Sequence, residues 1–464
     1  SISLSSQIDQ TRAPSRAGSG ASSFRHFTSP IYYANPLSYA GIVDGKVVTL
    51  EETNTPNPIT RLYGDGYSKD FKNYITSTVR FDYEVINGLK LHGKFSYWNL
   101  AYNRRVYNKN LIEYRPWRLE DGSVFYAAQS QEEPWTFGES NGKNRKLYTE
   151  VGANYVKSIG NHNIAALLLY NQDKTYNPGL LYSIPSGRQS LVGRVTYDYK
   201  NRYMLEFNAG YNGTENFAIG RRFGFFPAFS AGWTISEELF FPENNIVTFF
   251  KLRGSYGEVG NDRIGGQRFL YTPTTYRFHS PGGWSDGDTY YFGQVGSSYQ
   301  GYPTAFEGTL GNEMLTWERA KKGNVGIDIN LLENKLRVVT DLFWENRDNI
   351  LASPQTFPDL IGTDFPAQNF GKMKNNGYEL EVTFRDKIDA VNYWAKIIYN
   401  YAHNEIVYQN EVLIQEAPWR AQTGQSNGQY FGYLHQGFYN EWEEVNDAMR
   451  PVSSWMNNKI MPGD

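Results

Sequence analysis

A chain that contains Thr316–Leu351, TWERAKKGNVGIDINLLENKLRVVTDLFWENRDNIL, has few folds open to it. Val325, Ile327, Ile329 and Leu331 alternate with Asn324, Gly326, Asp328 and Asn330. Side chains on a strand point alternately to opposite faces, so one face of this segment is aliphatic and the other polar or charged. Leu332-Glu333-Asn334 supplies a reversal. Leu336, Val338, Thr340, Leu342 and Trp344 then alternate with Arg337, Val339, Asp341, Phe343 and Glu345. Each arm runs about ten residues or more, against roughly five or six for an ordinary strand. The unit is a long hairpin, apolar on one side and wet on the other.

The same unit recurs. Val79, Phe81, Tyr83 and Val85 turn at Asn87-Gly88 into Leu89, Leu91, Gly93, Phe95 and Tyr97; a two-residue turn of this composition closes hairpins. Further pairs are expected at 146–157 with 163–172, 191–199 with 202–211, 223–235 with 248–258, and 378–384 with 393–401. About a dozen long strands result. Reversals within pairs are short, that near 237–246 excepted. The connections between pairs, 100–145, 173–188, 260–315 and 352–368, are long. A barrel threaded through an outer membrane has this rhythm, with short periplasmic turns and long extracellular loops. A soluble all-β protein has no reason to put its long loops at one end.

Composition narrows the rest. Net charge is −3, so bulk electrostatics offers no case for nucleic acid. With no cysteine there is no disulfide or thiolate chemistry. Aromatics reach 16%, with 36 Tyr, 28 Phe and 44 Gly, which favours strands and turns. No apolar run approaches the roughly 18 residues of a membrane helix. In lipid every backbone polar group must be satisfied internally, which leaves a closed sheet as the spanning structure. Arg80, Glu84, Arg194, Asp328, Glu379 and Glu381 would then face the lumen, and Tyr97-Trp98, Phe225-Phe226, Trp233 and Phe343-Trp344 fall near strand ends, where interfacial girdles belong. Ser1 opens without a basic or apolar leader, so either a mature or trimmed chain or one whose beginning is missing is expected. Residues 1–28 (TRAPSRAGSGASS within them) suggest loop or a weakly ordered lead-in, and 31–61, with Pro36, Pro56 and Pro58, irregular surface structure.

Catalytic chemistry is not visible. The six histidines make no metal-binding cluster, and no nucleophile elbow, phosphate loop or dinucleotide fingerprint is present. No catalytic, cofactor or metal residue is assigned, and no enzyme is expected. The connection 260–315, which includes YRFHSPGGWSDGDTYYFGQVGSSYQGYP, is rich in aromatic and small polar groups suited to sugar rings or peptides. Trp284, Tyr290 and Tyr291 are its candidate substrate-binding residues. For any one of them, packing between loops or against a partner is the competing role.

Several segments resemble the SusC/RagA family of TonB-linked outer-membrane proteins. Arg194–Phe241 (RVTYDYKNRYMLEFNAGYNGTENFAIGRRFGFFPAFSAGWTISEELFF) is similar to its barrel signature. KLRGSYGEVGND (251–262), LTWERAKKGNVGIDINLLENKL (315–336), NFGKMKNNGYELEVTF (369–384) and GQYFGYLHQGFYNEWEEV (428–445) follow in the family's order. The resemblance implies an all-β transmembrane antiparallel barrel, part of a 22-stranded wall around a plug. It implies a nutrient importer in the outer membrane of a Gram-negative, Bacteroidetes-type cell. A SusD-like lipoprotein would cap the extracellular side over an oligosaccharide or peptide, and TonB-ExbB-ExbD would act through the plug. Neither the plug nor the last strands are expected within these residues. The division expected is 1–72 as irregular lead-in and loop with room for early barrel strands, 73–406 as barrel strands and loops, and 407–464 as extracellular loop. Tyr199, Arg202, Gly224, Phe226, Pro227, Gly232, Trp233, Trp317, Asn376 and Gly377 match motif positions and suggest architecture. The alternatives are a surface binding protein or adhesin without transport and, with no constellation behind it, an outer-membrane enzyme.

Overall fold

The computed structural model describes residues 1–14, 39–49, 66–109, 112–129, 134–180, 183–242, 244–263, 268–273, 276–279, 290–292, 300–302, 304–356, 360, 365–412, 417–432, 434–435, 437–446 and 461–462. Thirteen long strands form one antiparallel sheet in sequence order. They are β1 Ile2–Pro14, β2 Tyr67–Ile86, β3 Leu89–Asn108, β4 Thr136–Ile159, β5 His162–Tyr176, β6 Ser186–Tyr199 and β7 Tyr203–Thr214. β8 Phe223–Thr234, β9 Val247–Asn261, β10 Glu318–Leu331, β11 Leu336–Ala352, β12 Gln368–Ile388 and β13 Val391–Tyr408 complete it. Each strand pairs with its sequence neighbours only, and the described sheet is open between β1 and β13. No helix among the described residues is long and apolar enough to cross a membrane.

The founding hairpin forms in the expected register. Val325 pairs with Leu342, Ile327 with Thr340 and Ile329 with Val338, while Gly326 faces Asp341 and Asp328 faces Val339. Leu332, Glu333 and Asn334 take φ of 54°, 57° and 67°, and this left-handed run turns the chain. Thr248 Oγ1 donates to Asn334 Oδ1 at 2.8 Å and pins the turn to β9. Lys200 and Asn201 reverse the β6–β7 hairpin in the same backbone region, with φ of 54° and 57°.

The register carries the alternation across the wall. Tyr83, Leu91, Ala153, Leu168, Gly193, Ala209, Pro227 and the positions beyond them share one face. Val79, Phe81, Val195, Phe207, Phe229, Val325 and Leu342 on that face are all 42% exposed or more, which a water-facing sheet would not tolerate as one band. The one buried apolar cluster found among the described residues is Phe217, Phe226, Leu315 and Trp317, so no ordinary core lies behind the sheet. The apolar face is the lipid face of a transmembrane wall, and the opposite face is polar.

Three expectations need correction. Residues 2–14, expected as loop or weakly ordered lead-in, form β1, an early barrel strand of the kind the 1–72 division left room for: Ile2, Leu4 and Ile8 sit on the outward parity, and Ile2 pairs with Val79. β3 runs to Asn108 and β4 starts at Thr136, so much of 100–145 is strand. There Ala101, Asn103 and Arg105 occupy the outward parity; once the wall rises out of lipid both faces are wet, and period-two hydrophobicity fades. Within 31–61, Tyr39–Val43 and Lys46–Thr49 form a hairpin. Val47 and Val48 of that hairpin pair in parallel with Glu113 and Tyr114 of the next long connection, and Val124–Ala128 completes a small four-stranded sheet. Pro36, Pro56 and Pro58 lie outside the described residues.

Candidate functional site

The inner face of β9–β11 is the most organised polar surface. Arg253 stands opposite Gly326, between Asp328 of β10 and Asp341 of β11. Its Nη1 and Nη2 each donate to Asp341 at 2.6 Å, and its Nε donates to Asp328 at 3.3 Å. A planar guanidinium suits this two-pronged grip. Gly326 makes room for it: a Cβ there would lie 2.5 Å from Arg253 Cζ and 2.7 Å from Asp341 Oδ1. Further up the same face, Glu345 takes Lys322 at 3.1 Å and Arg347 at 2.6 Å, and Arg347 also reaches Glu318 at 3.2 Å. Arg194 with Glu206 (2.7 Å) and Lys396 with Glu381 (2.9 Å) continue the pairing on neighbouring strands. Towards the short-turn end the inner face forms a trough of about 690 Å³, lined by Thr196, Glu206, Ser230, Lys251, Arg253 and Asn324 among others. Such a surface can hold a polar domain or a hydrated solute while keeping its own charges balanced.

The long-connection end is anchored at defined points. The β8–β9 ladder is confined to Ala228–Thr234, beginning just after Pro227, which has no N–H to donate. Beyond it Phe226 packs on Trp317 (centroids 5.3 Å), and Trp317 on Phe217 (5.7 Å). Trp317 Nε1 donates to the Arg222 carbonyl at 3.2 Å. The long connection from β9 to β10 is held at both roots. Asp262 accepts from Arg188 at 2.8 and 3.0 Å, Arg268 meets Glu215 at 3.1 Å, and Thr316 and Asn369 bond reciprocally at 2.9 Å. This connection carries the sequence candidates. Tyr290 and Tyr291 are adjacent on a short strand, Tyr290–Phe292, paired with Gln300–Tyr302. Trp284 lies outside the described residues.

At the short-turn end, motif residues serve architecture. Trp233 Nε1 donates to Glu238 Oε1 at 2.9 Å, the Tyr203 hydroxyl donates to the same oxygen, and Arg202 lies 3.6 Å from Oε2. Tyr199 stacks on Tyr203 (6.4 Å) and packs against His162 (4.8 Å). Glu238 thus ties the β6–β7 turn to the connection after β8. The Tyr203 hydroxyl and then the Trp233 indole hold its carboxyl below the ordinary carboxylate range. A depressed folded pKa means the tie is at full strength above the unfolded value and is lost as pH falls through the folded one. Trp233 fluorescence should therefore titrate at acid pH below the usual glutamate range, and Glu238→Gln should remove that step while leaving the neutral-pH spectrum near wild type.

Asp328 was legible as inward from alternation alone. Its partner Arg253, and Asp341, which shares that guanidinium, were not singled out, because cross-strand register decides which charges meet. Among the described residues no group of three or more histidines, aspartates or glutamates could hold a metal ion.

The fold and this paired-charge wall define a class, the transmembrane β-barrels. Residues 6–455 match the family described as TonB dependent receptor-like, beta-barrel, and the chain belongs to it. It is 26% identical over 345 residues to TonB-dependent receptor P3 of Formosa agariphila, covering 65% of this chain and 33% of that protein. It is 32% identical over 222 residues to TonB-dependent receptor SusC of Bacteroides thetaiotaomicron, covering 47% and 20%. The chain thus spans a third or less of the length of these relatives. Among solved structures, the RagAB peptide importer in its open–open state superposes with a TM-score of 0.58 at 17% identity, over 79% of this chain and 40% of that one. These likenesses support the SusC/RagA type of barrel read from the motifs.

Proposed function

We propose that the protein imports a nutrient, an oligosaccharide or a peptide, across the outer membrane of a Gram-negative cell. Energy would come from TonB-ExbB-ExbD acting on a plug seated against the inner wall, and a SusD-like lipoprotein would cover the long-connection end. The observation that carries this reading is the combination of an apolar outer face with an inner face of closed ion pairs around Arg253. The relatives' names, TonB-dependent receptor and SusC, support the energy source. The peptide importer of similar fold makes peptides one candidate class. On this reading the short turns are periplasmic and the long connections extracellular, and the protein works by binding and passage rather than catalysis.

Deleting the gene should abolish growth on one glycan or peptide source while leaving surface attachment unchanged; lost attachment with normal growth would favour an adhesin. Trp284, Tyr290 and Tyr291 are proposed ligand contacts. Alanine at Trp284 and Tyr290 together should weaken ligand binding about tenfold or more, on the scale of losing two aromatic contacts. Unchanged affinity would remove them from the site.

A further inference from the structure

The outer face of β1–β4 carries a row of charge where the lipid band ends. Arg12 pairs across strands with Lys69, Lys69 with Arg105, and Arg105 with Glu139. All share the parity of Val79 and Phe95, which face lipid. Lys69 lies about 14 residues along β2 from Tyr83, roughly 33 Å of height at ~3.3 Å per residue and ~45° tilt, beyond an apolar band of about 25 Å. The row therefore stands at headgroup level.

Like charges directly opposite one another destabilise a sheet, and here three cations stand in succession. Arg105 Nε reaches Glu139 at 3.2 Å. Among the described residues no carboxylate pairs with Arg12 or Lys69; both lie over the Tyr67 ring, at 4.3 and 5.5 Å. Three cations less one carboxylate leave a surplus of two. Beside them is a cavity of about 640 Å³ lined by Thr11 and Asp70 and by six further residues, Gln10, Arg12, Lys69, Phe71, Asn103 and Arg105. Those six side chains all have outward parity. An aromatic row stands next to the charges on the side away from the lipid band: Tyr67 stacks on Tyr107 at 4.7 Å, and Tyr107 meets Phe137 at 5.2 Å. Farther round the wall Arg145 and Lys174 repeat the motif over Tyr176, at 4.2 and 5.3 Å.

We propose that Arg12, Lys69 and Arg105 form a binding site for the phosphate of an anionic membrane lipid, whose acyl chains descend over Phe71 and Ile75. Two guanidiniums and an ammonium around one cavity match a phosphate's several acceptor oxygens, and Phe71 and Ile75, below them on the same face of β2, offer its chains an apolar path. This rests on the assignment of that face to lipid.

The test uses the full-length protein in phosphatidylcholine nanodiscs containing a minority of phosphatidic acid, with lipids that stay bound after detergent exchange counted by native mass spectrometry. Wild type should retain phosphatidic acid over phosphatidylcholine, and the triple variant Arg12→Gln, Lys69→Gln, Arg105→Gln should retain it about fivefold less, as expected for losing three charge-assisted contacts. Arg12→Lys with Arg105→Lys, which keeps the charge, should hold most of it. Equal retention by wild type and the triple variant overturns the site, as does displacement of the lipid by millimolar inorganic phosphate, which would mark a free-anion site. A protein that leaves membranes without detergent would instead overturn the lipid-facing assignment itself. A detergent-dependent protein with unchanged retention would overturn the lipid site alone.

Discussion

Arginine in place of Ile327 is expected to destabilise the protein by about 2–4 kcal/mol in a bilayer, the cost of a cation on the lipid face near the midplane. Ile327 lies four residues from the Leu331 end of β10, between Leu252 of β9 and Thr340 of β11. At ~3.3 Å per residue and ~45° tilt that is about 9 Å above the turn, well inside the apolar band. One residue on, Asp328→Asn should cost less than about 1 kcal/mol, because a part-exposed ion pair contributes little. Asp341 keeps its two bonds to Arg253 in that variant. Denaturant unfolding in lipid vesicles, followed by tryptophan fluorescence, separates the two. Two equally mild changes would show that inside and outside have been exchanged.

Gly377→Ala should be strongly damaging for a single methyl added inside a strand. A Cβ at this position would lie 2.1 Å from the carbonyl oxygen of Tyr401 and 2.6 Å from the Phe343 ring. The carbonyl belongs to the next strand and cannot swing aside as a side chain can, so the β12–β13 ladder must yield. Overpacking of this kind costs about 3 kcal/mol. Gly193 is the control: it sits mid-strand on β6 with nothing within 4 Å of its would-be Cβ. Gly193→Ala should change stability by less than about 1 kcal/mol in either direction. The same vesicle unfolding assay compares them, and equal midpoints for the two variants would mean that β12 and β13 do not approach as closely as described.

The hairpins were legible because each carries two agreeing signals, period-two alternation and a turn that backbone chemistry favours. Asn87-Gly88, Lys200-Asn201 and Leu332–Asn334 all reverse the chain where alternation stops. What escaped had only one signal, or none. β1 alternates Ile2, Leu4 and Ile8 against serines and Asp9, but a Ser/Arg/Gly-rich run follows and its partner β2 is more than fifty residues away. The small sheet joins Val47-Val48 to Glu113-Tyr114 from two separate connections, and parallel pairing at that distance leaves no local pattern.

In the hairpin Thr316–Leu351, alternation alone assigns Ile327 and Asp328 to opposite faces, because a strand's side-chain period is two whatever surrounds it. It likewise dictates a wall with one face for lipid. Which charges meet is another matter. Arg253 lies 75 residues before Asp328 and 88 before Asp341, and it reaches both only because the β9–β10–β11 register stacks them around the space left by Gly326. Arg12, Lys69 and Arg105 are scattered along the chain and become one row only when three strands align. A strand's faces follow from its own residues, whereas its neighbours follow from register, which is settled by long-range pairing and packing.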